Sequence, residues 1–110
     1  MAEGVKAVEF SAENFESEVL NSKIPVFVDF YAIWCGPCHA FAPSVEKLAS
    51  ELAGKLKVGK VDIDKSPSLA DKYGVKSIPT FIVFKGGAEA GRDTGAHPYE
   101  ALKAWVAQAL

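Results

Sequence analysis

Residues 24–31 constrain the fold of this chain more than any other segment, because they are almost continuously apolar and rich in β-branched and aromatic side chains. A strand that is covered on both faces has this composition, whereas a half-exposed strand alternates apolar and polar residues. A helical period begins a few residues later, at Pro37, and continues to about Leu52. A buried strand that leads directly into a helix is typical of α/β proteins.

The rest of the chain also alternates between strand-like and helix-like segments. We expect further strands at residues 5–10, 56–62, 80–85 and 88–94, and further helices at residues 11–21, 66–73 and 98–110. Gly86-Gly87 predicts a two-residue hairpin, so the last two strands should run antiparallel. The predicted fold class is α/β, with a central mixed five-stranded sheet flanked by four helices, in one domain over residues 1–110.

Several single residues predict where the first and last helices begin and which face they bury. Ser11 is the expected N-cap of the first helix, and Pro98 is expected to open the last one. The spacing of the apolar residues in the last helix predicts a buried stripe of Leu102, Trp105, Val106 and Leu110.

Charge and composition exclude several classes of partner. The formal net charge is −2, which argues against nucleic acid or an anionic membrane. The longest apolar run is interrupted by Asp29 and is too short to span a bilayer. Residues 1–10 contain no basic segment followed by an apolar run, so we expect no secretory signal. A chain with two cysteines and no export signal is expected in a reducing compartment, either the cytoplasm or an organelle reached after removal of a transit peptide. We also expect a monomer.

Both cysteines lie in the sequence WCGPCH, residues 34–39, at the start of the predicted helix. Thiols three residues apart on a helix are close enough to form a disulfide without backbone movement. The unpaired N–H groups at the helix N-terminus favour an anion and lower the pKa of the first thiol, Cys35. Pro37 suits the first helical turn, where its missing N–H costs nothing. The motif therefore encodes a nucleophilic thiolate, Cys35, with a second thiol, Cys38, held behind it.

Asp29 is a charged residue inside the most apolar strand, six positions before Cys35. Its burial should raise the pKa of the carboxyl group, so that it holds a proton near neutral pH. Two interpretations stay open: Asp29 takes part in the thiol chemistry, or it forms a structural ion pair with Lys60 on the neighbouring strand. No metal site is expected, because two cysteines and two scattered histidines do not have the spacing of a tetrahedral ligand set.

These motifs resemble those of the thioredoxin family, and the resemblance covers essentially the whole chain. The matching segments are VDFYA (28–32), WCGPC (34–38), Pro43, KVDID (60–64), YGV (73–75), SIPT (77–80), Gly86-Gly87 and Gly95. Two positions depart from the commonest pattern. Tyr31 replaces a tryptophan that is frequent in bacterial members, and His39 replaces a lysine or arginine.

The resemblance implies a protein-disulfide reductase. Cys35 would attack a disulfide of a partner protein, and Cys38 would resolve the mixed disulfide. Asp29 would serve as the acid/base for Cys38 through water, and Lys60 is a further candidate at that site. No cofactor would be bound, since the dithiol is the redox centre. A thioredoxin reductase that draws on NADPH would restore the dithiol.

The resemblance also implies a substrate-binding surface around the cysteines. Pro79 would be cis and face the disulfide, and the backbone of Ile78 would bond to an extended substrate strand. Trp34, placed on a loop directly before the nucleophile, is expected to offer an apolar contact surface. The full predicted set of substrate-binding residues is Trp34, Gly36, Pro37, Ile78, Pro79, Gly95 and Ala96.

The motif also indicates the direction of electron flow. An oxidant needs strong stabilisation of its nucleophilic thiolate, and Pro37 offers neither a backbone N–H nor a side-chain donor for that purpose. A reductant is therefore expected, and Gly36-Pro37 disfavours an oxidase or isomerase. Two functions of a different kind stay open: a non-catalytic binding adaptor with the same fold, and metal transport through the two thiols.

Overall fold

The computed structural model describes residues 5–110. Within that range the strands are β1 (Val8–Phe10), β2 (Val26–Tyr31), β3 (Lys57–Asp62), β4 (Thr80–Lys85) and β5 (Ala88–Thr94). They form one sheet in the order β1-β3-β2-β4-β5. β3 is parallel to both β1 and β2, β4 is antiparallel to β2, and β5 is antiparallel to β4. The predicted mixed five-stranded sheet with an antiparallel last pair is confirmed.

Four helices of residues 5–110 cover this sheet on both faces: α1 (Glu16–Leu20), α2 (Gly36–Glu51), α3 (Pro67–Lys72) and α4 (Tyr99–Ala109). The apolar residues of α2 and α4 pack with Phe27 and Phe81 on one face of the sheet. Those of α1 and α3 pack with Phe30 and other residues on the opposite face. β2 is buried from Val26 to Phe30 because helices cover both of its sides. None of the helices in the described range is long and apolar enough to cross a membrane.

The first predicted helix, at residues 11–21, is wrong in its start and its length. Ser11 does not cap a helix; its own N–H donates a hydrogen bond to Asn14 Oδ1 at 2.8 Å. This side-chain bond stabilises a turn, so helical structure begins only at Phe15. The segment then has the i→i+5 bonding of a π-helix, with the Asn21 N–H bonded to the Glu16 carbonyl at 2.9 Å.

The ends of other elements also differ from their predicted positions. β1 starts at Val8 because the Ala7 N–H donates to Glu46 Oε1, at 2.8 Å, and not to a neighbouring strand. α4 begins after Pro98, which is its N-cap and not its first helical residue. Leu110 lies beyond the end of α4 and is 43% exposed, so its predicted place in the buried stripe is wrong.

Gly59 lets β1 approach β3 closely, and we expect its replacement by alanine to destabilise the protein. A Cβ at this position would collide with the Phe10 ring and lie 2.7 Å from the Val8 carbonyl oxygen. Overpacking of this kind costs about 1–3 kcal/mol. Gly59→Ala should therefore lower the urea midpoint without changing the m-value. Gly91→Ala is the matched control, because its Cβ would make an ordinary 3.5 Å contact with Trp105. Equal effects of the two substitutions would contradict the close approach.

Candidate active site

The cysteine motif lies directly after the carboxyl end of β2, where open α/β sheets usually bind their ligands. Cys35 is the N-cap of α2, with an extended backbone, and its Sγ accepts a hydrogen bond from the Cys38 N–H at 3.2 Å. The two residues form a disulfide, with their Cα atoms 5.3 Å apart. The Cys35 side chain therefore caps the N-terminus of α2, and one N–H of the first turn, that of Cys38, donates to its sulfur atom. This is the arrangement that the sequence predicts for a stabilised thiolate.

The loop before β4 lies beside the disulfide. The Ile78–Pro79 peptide bond is cis, as the resemblance implies. The Ile78 carbonyl oxygen is 3.9 Å from Cys35 Sγ, and Pro79 is buried. The Gly95 N–H donates to the Pro79 carbonyl at 2.9 Å, which brings the end of β5 to the same loop. The exposed Ala96 follows Gly95.

Trp34 is 69% exposed, so it is not a core residue. Its indole N–H donates to Asp64 Oδ2 at 2.8 Å, which fixes the polar edge of the ring. Ile33 beside it is 64% exposed, and our sequence reasoning overlooked it. The sequence could have indicated an exposed contact residue here, because Ile33 is an apolar residue in the short loop between β2 and α2. The His39 ring, on the exposed face of α2, contacts the Ile33 carbonyl through Nε2.

Asp29 borders a cavity of about 80 Å³ behind the second cysteine. A water molecule needs roughly 10–15 Å³ by this measure, so the cavity can admit water beside the carboxyl group. Its lining consists of Asp29, Tyr31, Ala32, Cys38, His39, Ala42, Val45, Glu46 and Lys60. Asp29 is 3% exposed, and its Oδ1 has no hydrogen-bond partner within residues 5–110. Burial raises the pKa of Asp29 to about 7, the effect that the sequence predicts.

Lys60 lies beside Asp29 in the register of β2 and β3, but the two do not form the ion pair considered from the sequence. The Lys60 ammonium is 3.9 Å from Glu46 Oε2 and 5.1 Å from the centre of the Tyr31 ring. Its charge still lowers the Asp29 pKa, against the larger effect of burial. The structural ion pair of Lys60 is therefore with Glu46.

Two acidic residues near the cavity are not singled out by the sequence pattern. Glu46 lines the cavity, and Glu9 contacts Tyr31, another lining residue. The Tyr31 hydroxyl donates to the Glu9 carboxylate, at 3.0 and 3.1 Å to its two oxygens. After burial, this hydrogen bond is the main cause that raises the pKa of Tyr31. Periodicity places Glu46 on the polar face of α2, a position that usually means only contact with solvent.

A cysteine pair at the N-terminus of a helix, beside a cis-proline loop, defines a site for dithiol–disulfide exchange. Comparisons with known proteins agree. The Thioredoxin family model matches residues 6–108. "Thioredoxin 1" of Nostoc sp. is 46% identical over 96 residues, which cover 87% of this chain and 90% of that protein. "Thioredoxin" of Rickettsia bellii is 43% identical over 94 residues, or 86% and 90% of the two chains.

"Thioredoxin M4, chloroplastic" of Arabidopsis thaliana is 41% identical over 109 residues, which cover 99% of this chain and 56% of that longer protein. The chain belongs to the thioredoxin family. It is a protein-disulfide oxidoreductase whose redox centre is the Cys35–Cys38 pair. Within residues 5–110, no group of three or more histidine, cysteine or acidic side chains is placed to hold a metal ion.

Proposed function

We propose that Cys35 is the attacking nucleophile and Cys38 the resolving thiol. The observation that carries this assignment is the hydrogen bond from the Cys38 N–H to Cys35 Sγ at the start of α2. A thiolate at an N-cap gains both this bond and the favourable dipole of the helix, and a thiol inside the first turn gains less. Cys35 is therefore the sulfur that ionises more readily.

The reaction then has two exchange steps. The Cys35 thiolate attacks one sulfur of a substrate disulfide, forms a mixed disulfide and releases the other substrate sulfur as a thiolate. Cys38 loses its proton and attacks Cys35 Sγ, which breaks the mixed disulfide and releases the second substrate thiolate. Two electrons pass to the substrate, and the protein is left with the Cys35–Cys38 disulfide.

We assign Asp29 as the group that accepts the Cys38 proton through water in the shared cavity. Two features support this role: Asp29 and Cys38 line the same cavity, and a pKa of about 7 suits a base that works near neutral pH. Lys60, at the same cavity, is proposed to adjust this proton transfer by its charge.

We propose that the substrate lies across the surface beside the disulfide. The backbone of Ile78 would bond to an extended substrate segment, and Trp34 would make the largest apolar contact. The remaining contacts would come from the motif itself and from the two loops near it, through Gly36, Pro37, Pro79, Gly95 and Ala96.

The natural partners would be proteins that contain disulfides, together with a thioredoxin reductase that uses NADPH. We expect the protein to work as a monomeric single domain, as an electron carrier in cell redox homeostasis. The expected site of action is the cytoplasm or an organelle of similar redox character, because a reductant of this type needs a reducing compartment.

Insulin reduction driven by dithiothreitol, together with a glutathione redox titration, tests the proposed direction of electron flow. We expect rapid insulin reduction and a potential near the family value of about −270 mV. A potential of about −120 mV, which is typical of a strong disulfide oxidant, would contradict the reductase assignment.

A further inference from the structure

The charged residues at the mouth of the Asp29 cavity form a connected arrangement, and one of them, Glu46, has no role in the exchange steps or the proton transfer described above. The Glu46 carboxylate contacts two groups, because Oε1 accepts the Ala7 N–H at 2.8 Å while Oε2 lies 3.9 Å from Lys60 Nζ. The backbone bond restrains the carboxylate, so Glu46 presents a fixed negative charge to the lysine. This removes part of the entropic cost that weakens most partly exposed ion pairs.

A second group restrains Lys60 on its other side. The ammonium lies 5.1 Å from the centre of the Tyr31 ring, within the range of a cation–π contact. The hydroxyl of that ring is in turn bonded to Glu9 on β1. Lys60 thus has two partners at the mouth of the cavity, while Asp29 Oδ1 inside it has none within the described residues.

We propose that Glu46 is a positioning residue, which holds the Lys60 ammonium at the mouth of the cavity, away from the Asp29 carboxyl group. Asp29 therefore stays free to exchange a proton with Cys38. The proposal rests on the proton-transfer role assigned to Asp29 above.

The electrostatics of the site explain why this restraint matters. An ammonium group that moves into contact with a buried carboxylate favours the ionised form and lowers its pKa by about 1–3 units. A carboxyl group ionised well below neutral pH is a weaker base for a thiol proton. The charges of Glu9 and Glu46 act in the opposite direction, since both raise the Asp29 pKa.

The titratable groups that face Asp29 come from β1, β2, β3 and α2, while the residue opposite Asp29 on β4 is the apolar Phe81. Lys60 lies on β3, Glu9 on β1 and Tyr31 on β2 itself, while α2 contributes Glu46, His39 and Cys38. Of these, Lys60 is the cation in the closest register, directly opposite Asp29 across β2 and β3. Among the neighbouring charges, the Lys60 ammonium therefore has the largest effect on the Asp29 pKa, and its position matters most.

Glu46→Gln tests the proposal, because an amide oxygen still accepts the Ala7 N–H while the charge that holds Lys60 is lost. The measurement is the pH titration of the Asp29 ¹³Cγ resonance in the oxidised full-length protein, in which the two cysteines do not titrate. We expect the Asp29 midpoint to fall by about one pH unit. An unchanged midpoint would overturn the proposal.

Two further variants separate positioning from a direct effect of the Glu46 charge. In a Lys60→Gln background, Glu46→Gln should shift the midpoint by less than half as much, because no ammonium remains to move. Equal shifts in both backgrounds would show that Glu46 acts only by its own charge, and would contradict the proposal. Glu18→Gln is the matched control, because Glu18 forms an ion pair at 3.3 Å with Lys57, which lies on β3 as Lys60 does. We expect it to leave the midpoint unchanged.

The rate of mixed-disulfide resolution distinguishes this proposal from the assignment on which it rests. If Glu46→Gln shifts the Asp29 titration and the pH–rate profile together, both are supported. If the titration shifts and the profile does not, the positioning role stands and the proton-transfer role of Asp29 fails.

Discussion

Replacing Cys38 by serine is expected to stop the reaction at the mixed disulfide, with the substrate covalently attached to Cys35. The first exchange step needs only the Cys35 thiolate, but no second thiol remains to break the intermolecular bond. Insulin turnover should fall by about three orders of magnitude or more. Non-reducing electrophoresis and mass spectrometry of the trapped adduct measure the result, and the same variant would capture natural substrates from an extract.

Cys35→Ser provides the control for this experiment. It should lose turnover to a similar extent but form no adduct, because the remaining thiol is not the one at the N-cap. Adducts in Cys35→Ser and none in Cys38→Ser would reverse the assigned roles. Strong activity that survives Cys35→Ser would favour a binding adaptor over an oxidoreductase mechanism based on this thiol.

Asp29→Asn is expected to make the protein more stable and, at the same time, to slow resolution of the mixed disulfide. The folded protein raises the Asp29 pKa from an ordinary 3.8 to about 7. Between these values the folded state keeps a proton that the unfolded state has lost, so stability falls as the pH rises through this window. An asparagine is uncharged at every pH and avoids that loss. The gain should be absent below about pH 4 and reach on the order of 2–4 kcal/mol above about pH 7.

Urea unfolding of the oxidised protein at pH 4, 6 and 8 measures this stability change. Stopped-flow measurement of mixed-disulfide resolution provides the kinetic counterpart, and we expect about a hundredfold decrease for loss of a general base. A stability gain that is equal at all three pH values would show that titration of Asp29 is not its cause. Resolution at the wild-type rate would contradict the role of Asp29 in proton transfer.

The central strands are predictable because their sequences carry strong and mutually consistent signals. β4 has the predicted bounds, Thr80–Lys85, and so does β5, Ala88–Thr94, since the hairpin glycines mark the end of one and the start of the other. β2 begins two residues later than predicted because Pro25 has no N–H for the strand ladder. The mixed sheet and the helices on both of its faces then follow from the alternation of elements, whereas the strand order comes from the structure alone.

The start of α1 is not predictable from helical propensity. Ser11 has the composition of an N-cap, but the Asn14 side chain competes for its backbone N–H and stabilises a turn. The choice between the two depends on side-chain geometry that a sequence pattern does not contain.

Some residues of the candidate site are likewise predictable from the sequence, and others are not. Cys35, Cys38 and Asp29 are identifiable because each breaks the pattern of its surroundings, as a thiol at a helix start or a carboxyl group in an apolar strand. The cis bond at Pro79 follows from the family resemblance, since the residues alone favour trans. Glu46 is not identifiable, because an outward-facing helix position does not reveal which cation lies across from it.

The proposed mechanism depends on the difference in acidity between the two sulfur atoms, and alkylation of the reduced protein measures it most directly. Iodoacetamide is added over a range of pH values from mildly acidic to mildly alkaline, and peptide mass spectrometry determines the rate of labelling of each cysteine. We predict that the labelling rate of Cys35 rises with a midpoint at about pH 7, while Cys38 stays largely unlabelled. Equal labelling of the two cysteines, or of neither, would contradict the mechanism.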